Sequence, residues 1–295
     1  MTRAAHILAA LLCALPALAD SSPTLVVYPR QLDSDRRDVH KIELLEAALR
    51  ATEASDGPFI LRPSDGVLSE SRMEALMARG DGSALNVIFK PTTLDRERLM
   101  TPVRIPILKG LLGYRVFLVH ADSQPAFDQV VSLEDLRRFR VGQGLGWRDV
   151  EVFEHNGVPV VASPDYEGLF AMLLAKRFDF FSRGITEAPH EFAERRARFP
   201  NLRIESRLLL HYPWPVYFFA QNSDSGRLLA DRIRRGLDIL RASGEFDAIF
   251  DRHYANSFAN LNLSQRRVIR LHNPLLPPDT PIDRPEFWLK LEDLR

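Results

Sequence analysis

Cysteine is almost missing from this chain: the one present, Cys13, lies in an apolar segment at the N-terminus. The remainder therefore has no disulfide, no thiol nucleophile and no thiolate metal ligand. An oxidising compartment permits disulfides but does not demand them where the core is large enough. Charge of one sign is also missing, because 39 Lys and Arg balance 39 Asp and Glu. That balance offers no global field for nucleic acid or an anionic membrane. No basic stripe with interleaved aromatics marks a nucleic-acid surface. After the N-terminal segment no apolar run reaches the roughly 20 residues that span a bilayer.

Several catalytic signatures are absent as well. There is no Gly-x-Ser-x-Gly elbow, which excludes the usual α/β-hydrolase nucleophile. His155, His190, His211, His253 and His272 are scattered, and His190-Glu191 lacks a second histidine four residues after the first. No zinc-binding spacing results. Gly142, Gly144 and Gly146 follow Gly-x-Gly-x-Gly, which departs from the dinucleotide fingerprint. The expectation is a chain with no metal, no cofactor and no catalytic group.

What is present begins with Arg3, an apolar run over residues 4–18, and Ala17-Leu18-Ala19. This is the pattern of a secretory signal peptide, with cleavage expected after Ala19. Leu12 stands before Cys13, where a lipoprotein signal needs a small residue, so no lipid anchor and no membrane insertion after cleavage are expected. Loss of Arg3 leaves the mature chain near a net charge of about minus one.

Beyond the signal, β-rich and helical periodicities alternate. Residues 24–28, 59–61 and 85–89 read as strands. Between them, Ile42, Leu45 and Leu49 share a helical face, and Ser71 and Glu74 have capping-box spacing before a helix that Gly80 ends. This alternation implies a parallel sheet with right-handed crossovers. Residues 103–108 and 114–119 are β-like. A second alternating unit follows: a strand edge at 140–142, a helix over 149–155, a strand at 158–162, a helix capped by Ser163 and begun by Pro164, and a strand at 178–181. An apolar strand at 216–220 precedes a long helix carrying Leu229, Ile233, Leu237 and Leu240, then a second helix after Ser243-Gly244.

The predicted organisation is a split first lobe: signal peptide 1–19, first lobe 20–118, second lobe 119–212, return to the first lobe 213–255, and a proline-rich tail 256–295 packing on the first lobe through Phe287 and Trp288. Hinge crossings are expected near 118–123 and 211–215. A ligand would occupy the crevice where strand C-termini of both lobes meet.

Three segments give this organisation a family resemblance. They are Phe89-Lys90-Pro91-Thr92-Thr93-Leu94-Asp95-Arg96, Arg140-Val141-Gly142-Gln143-Gly144-Leu145-Gly146-Trp147-Arg148, and Phe178-Asp179-Phe180-Phe181-Ser182-Arg183-Gly184. In order and spacing the chain resembles type 2 periplasmic binding proteins, especially the family 3 solute-binding proteins of polar amino acid uptake. The resemblance implies an α/β fold of two lobes, each a mixed, mostly parallel sheet flanked by helices. It implies a periplasmic protein that closes on a small anionic or zwitterionic solute and delivers it to an ABC-transporter permease or a sensor, with no nucleic-acid partner; a monomer is expected. Arg96 matches the arginine that forks onto the ligand carboxylate, and Arg98 competes for that place. Thr92 and Thr93 flank it, and Tyr28 matches an aromatic residue beside the ligand. Gly146, Trp147, Arg148 and Arg183 would line the opposing wall. Trp147 and Arg148 replace expected hydroxyl residues, and Gly184 stands where the family often has an ammonium-binding carboxylate. With Lys90, Arg96, Arg148 and Arg183 nearby, an anion-biased cleft is the expectation. The competing readings are an enzyme reusing the fold, dehydratase-like or cell-wall associated, and a sensory or scaffold protein with a degenerate pocket.

Overall fold

Short β-branched and aromatic runs become strands here, and amphipathic segments between them become helices. The computed structural model describes residues 22–32, 38–290 and 292, so the expected signal peptide and its cleavage site lie outside the described residues. The chain opens with β1 (Thr24–Tyr28), α1 (Val39–Ala51), α2 (Glu53–Asp56), β2 (Phe59–Pro63), α3 (Glu70–Arg79), β3 (Val87–Pro91), α4 (Leu94–Leu99) and β4 (Met100–Val103). It continues with β5 (Tyr114–His120), α5 (Gln124–Phe127), α6 (Leu133–Leu136), β6 (Val141–Gly144), α7 (Asp149–His155), β7 (Val160–Ser163), α8 (Tyr166–Leu174), β8 (Phe180–Gly184) and α9 (Ala188–Arg195). It closes with β9 (Leu202–Ile204), β10 (Leu208–His211), β11 (Val216–Gln221), α10 (Asp224–Ser243), α11 (Glu245–Tyr254) and β12 (Arg267–Arg270).

Two sheet systems result. In the first lobe β1 pairs with β2 in parallel, and β11 returns between β3 and β4, antiparallel to both. The Asn86 side chain joins these pieces: its Oδ1 accepts from Val27 N and its Nδ2 donates to Leu25 O, both at 2.8 Å. In the second lobe the order is β12-β10-β5-β8-β6-β7, with β9 also on β5. The run β7-β6-β8 is closed by the antiparallel strand β5, as β3 is by β11, while β1 and β2 pair separately. Leu44, Leu45 and Leu49 of α1 and Ile233, Leu237 and Leu240 of α10 are buried in the first-lobe core.

Local signals resolve unevenly. Ser132 and Asp135, spaced to open a helix, form a reciprocal capping box at α6. At α3 the cap is Ser69, whose hydroxyl accepts from Arg72 N at 3.3 Å, rather than Ser71. The helix expected from Pro164 begins at Tyr166, because Ser163 is still held in β7 opposite Gly144.

The connections between the two sheets depart in part from the expected crossings. β5 lies wholly in the second sheet, so the first connection is 104–113, ahead of the expected 118–123. Buried apolar strands of either sheet have the same composition, so residues 114–119 carried no mark of which sheet they join. The second connection is 212–215, between β10 and β11. The two touch: Tyr212 N donates to Gly113 O at 3.2 Å, and a Cβ on Gly113 would stand 2.0 Å from Tyr212 O.

The tail engages both lobes, which corrects the expectation that it packs on the first alone. β12 adds to the second sheet, parallel to β10, and Arg267 donates to Val130 O at 2.9 Å. The chain then returns to the first connection. Leu289 N donates to Lys109 O at 2.8 Å, Tyr114 Oη donates to Leu289 O at 3.0 Å, and the Trp288 ring covers Gly110.

Candidate functional site

The first-lobe half of the expected site begins where β3 runs out at Pro91. Thr93 is extended and caps α4, its hydroxyl accepting from Arg96 N at 3.2 Å. Thr92 is fully buried; its hydroxyl donates to Glu97 Oε1 at 2.6 Å, and its carbonyl accepts from Trp214 Nε1 at 3.1 Å. Thr92 thus fastens α4 and the second connection. Its hydroxyl proton is spent on Glu97.

Arg96 is only 7% exposed. Its Nη1 donates to Pro91 O at 2.5 Å, and its Nη2 reaches Glu70 at 3.0 Å and Glu74 at 3.3 Å. Its Nε is buried with no partner. Arg98, the competitor for the role, is exposed and lies 3.6 Å from Asp95. Tyr28 ends β1 half-buried against the core, and burial pushes its hydroxyl pKa up.

The second-lobe side turns at Gly144. Gly146 is left-handed, with φ +81°, which lets the turn fold the Trp147 indole back over Gly144. The indole stacks on Phe181 with centroids 6.1 Å apart and 20° between planes. The Arg183 guanidinium lies 4.9 Å above it. Arg183 is 8% exposed, and its Nε and Nη2 both donate to Glu191, at 2.8 and 2.6 Å. Glu187 is a further partner at 3.3 Å, and its Oε2 accepts from Gly184 N at 3.0 Å. Burial depresses the Arg183 pKa, but Glu187 and Glu191 outweigh it and push it up.

Sequence reasoning missed this carboxylate. Gly184 has no acidic side chain, but Glu187 returns to its backbone from three residues on. It also missed Arg115, on β5, which donates from Nη2 to Asp149 at 2.7 Å and from Nε to Tyr212 Oη at 3.1 Å. Tyr212 Oη also bonds Asp149. The available signal was an arginine inside the apolar run 114–119, since a buried charge requires a partner.

Arg148 is exposed and donates to Glu151 at 2.9 Å. Its pKa is raised first by that bond, then, against some desolvation, by the charges of Glu151, Asp95 and Glu70. Asp95 and Glu70 belong to α4 and α3, so first-lobe charges act on Arg148. The anion-biased cleft needs correction: Lys90 lies 4.0 Å from Glu70, and Arg96, Arg148 and Arg183 each have a carboxylate. Two cavities, of about 210 and 240 Å³, lie along the tail, beside Lys109 and Phe287 and beside Tyr114 and Trp288. Among the described residues no helix is long and apolar enough to cross a membrane.

No protein-family model matches the chain, and no curated protein matches it. Solved structures do. An ancestral arginine-binding protein bound to glutamine aligns with TM-score 0.51 at 16% identity, covering 79% of this chain and 98% of that one. A histidine kinase sensor domain with similarity to periplasmic binding proteins aligns with TM-score 0.50 at 19% identity, covering 78% and 95%. An ancestral amino-acid-binding protein, a precursor of cyclohexadienyl dehydratase, aligns with TM-score 0.51 at 12% identity, covering 78% and 94%. The likeness is one of fold, and it agrees with the separate sheets and the double connection: the chain has the two-lobed fold of the type 2 periplasmic binding proteins.

Proposed function

We propose that this chain is an exported solute-binding protein that closes its lobes on a small carboxylate-bearing solute, an amino acid or organic acid, for delivery to a permease or sensor. The observation that carries this reading is the half-filled fork of Arg96. A guanidinium offers Nε–H and Nη2–H along one edge, matched to the two oxygens of a carboxylate. In Arg183 that edge is complete, both nitrogens donating to Glu191. In Arg96 only Nη2 is engaged, and Nε is buried and unpaired. A buried donor without an acceptor costs about 1–3 kcal/mol, which a solute carboxylate would recover.

The rest of the site fits this role. Trp147 and Gly146 form the opposing wall, and Arg148 lies within the field of Asp95 and Glu70 from the other lobe. Contacts made only with the lobes closed would shift the equilibrium to that state. Glu187, on Gly184 N, supplies an acceptor beside the place where the ammonium of a zwitterion would sit. The binding proteins and the sensor domain among the structural neighbours support solute capture on this fold.

Calorimetry against the twenty amino acids and a set of dicarboxylates tests the reading. At least one should bind, and Arg96→Ala should weaken it about 10- to 150-fold, the equivalent of the roughly 1.5–3 kcal/mol of a charge-assisted bond. Silence across the panel, or unchanged affinity in the variant, would refute it.

A further inference from the structure

The acids on Arg96 do more than neutralise it. We infer that Glu70 and Glu74 are a built-in competitor for the solute's carboxylate, and that they make the site selective for ligands able to fill both donors of the Arg96 edge. The inference rests on the solute-binding reading above and deepens it.

Burial is unequal across the pairs. The Arg96 side chain is 7% exposed, whereas those of Glu70 and Glu74 are 60% and 40% exposed. The guanidinium is also fixed from behind by Nη1 on Pro91 O, and α4 is capped by Thr93. The arginine is therefore the stationary partner, and the hydrated acids are the ones able to leave. Glu70 is the first residue of α3, where a side chain can swing outward without breaking the helix ladder.

Stereochemistry fixes what can replace them. Both glutamates converge on Nη2 through a single oxygen each, and neither reaches Nε. A free carboxylate, untethered to α3, can meet Nε and Nη2 together. Its advantage over the resident acids is the second bond. An amide or hydroxyl presents a single acceptor and brings no charge, so it gains no such advantage. Glu70 also lies 4.0 Å from Lys90 Nζ and within the field of Arg148. A solute entering here replaces the two carboxylates on Nη2 by one that also fills Nε.

The test uses the full chain and four probes: L-glutamine, L-glutaminamide, succinate and succinamide. Calorimetry compares wild type, Arg96→Ala, the double variant Glu70→Gln with Glu74→Gln, and Asp95→Asn. The glutamine side chains keep size and helix propensity, and a thermal melt checks the fold. In the double variant a carboxylate probe should bind more tightly, by up to about 5-fold for each exposed pair removed. The amide probes should not change. Asp95→Asn removes one nearby charge, where the double variant removes two, without touching Arg96, and should move affinity by less than half as much. Loss of binding in Arg96→Ala without any gain in the double variant overturns this inference and leaves the solute-binding reading standing. Equal gains for amides, or for Asp95→Asn, also overturn it, since they would mark a general field effect. Unchanged binding in Arg96→Ala overturns both, as does silence of every probe in every variant.

Discussion

His40 should make this protein sensitive to mild acid. It lies on the inner face of α1, 2% exposed, edge-on to Phe250, His253 and Tyr254 with centroids 6.0, 5.5 and 5.1 Å away. Neither ring nitrogen has a hydrogen-bond partner. Burial, followed by the charges of His253 and Lys41, lowers its pKa from 6.5 to about 3. The folded protein thus holds a neutral imidazole that the unfolded chain would protonate below about pH 6.5. The unfolded state binds the extra proton, so stability falls as pH drops through the window between those two values. The whole window is worth about 5 kcal/mol, and about 2 kcal/mol is already lost near pH 5.

His211, tilted against Tyr114 with centroids 4.4 Å apart, acts in the same direction, its pKa lowered to about 4 by burial and then by Arg270. It should contribute another loss of about 2 kcal/mol by pH 5. Together the two approach the lower end of the roughly 5–15 kcal/mol by which domains are stable. Urea unfolding of wild type and His40→Leu at pH 8, 6.5 and 5 measures this directly. Wild type should lose about 4 kcal/mol from pH 8 to 5, and the variant about 2, because leucine fills the cage without titrating. Equal losses in the two proteins would refute a buried neutral His40.

Two further outcomes follow from packing. Trp288→Ala should release the end of the tail from the first connection, since the indole covers Gly110 and its Nε1 donates to Pro281 O at 2.8 Å. Amide exchange should then rise over 105–113 and 285–290 while β12 keeps its protection; loss of protection in β12 too would show the tail to be a single cooperative unit. Gln143 and Ser182 lie on the neighbouring strands β6 and β8, at 1% and 2% exposure, with the amide and hydroxyl unpaired. Replacing them together by Met and Ala should stabilise by about 1–3 kcal/mol in urea unfolding. Destabilisation would mean that these groups have a bound partner, a buried water being the simplest.

Much of the architecture is legible in the sequence because it rests on local periodicity. The α1 and α10 stripes, the Ser132–Asp135 box and the Gly244 break are all decided by residues within a few positions of one another. Long-range pairing is not. Arg267-Val-Ile-Arg270 is too short and too charged to announce a strand, and it becomes one because the exposed edge of β10 lies beside it. The same limit hid the first connection, which depends on which sheet accepts β5.

The site was legible only as far as residue type. Four cations could be placed near strand ends, and charge balance said only that acids existed somewhere. What separates a ligand fork from a structural one is the occupancy of one guanidinium edge. That occupancy depends on where a distant helix presents its acids. Arg183 meets Glu191 squarely because α9 begins directly after β8 and lays its first turn across the strand end. Arg96 meets Glu70 and Glu74 through Nη2 alone, both acids coming from α3 in the crossover before β3. Arg96 on α4 and Arg183 on β8 thus acquire different chemistry from how their carboxylates reach them. The one left with an unpaired N–H is the one that still gains from a guest.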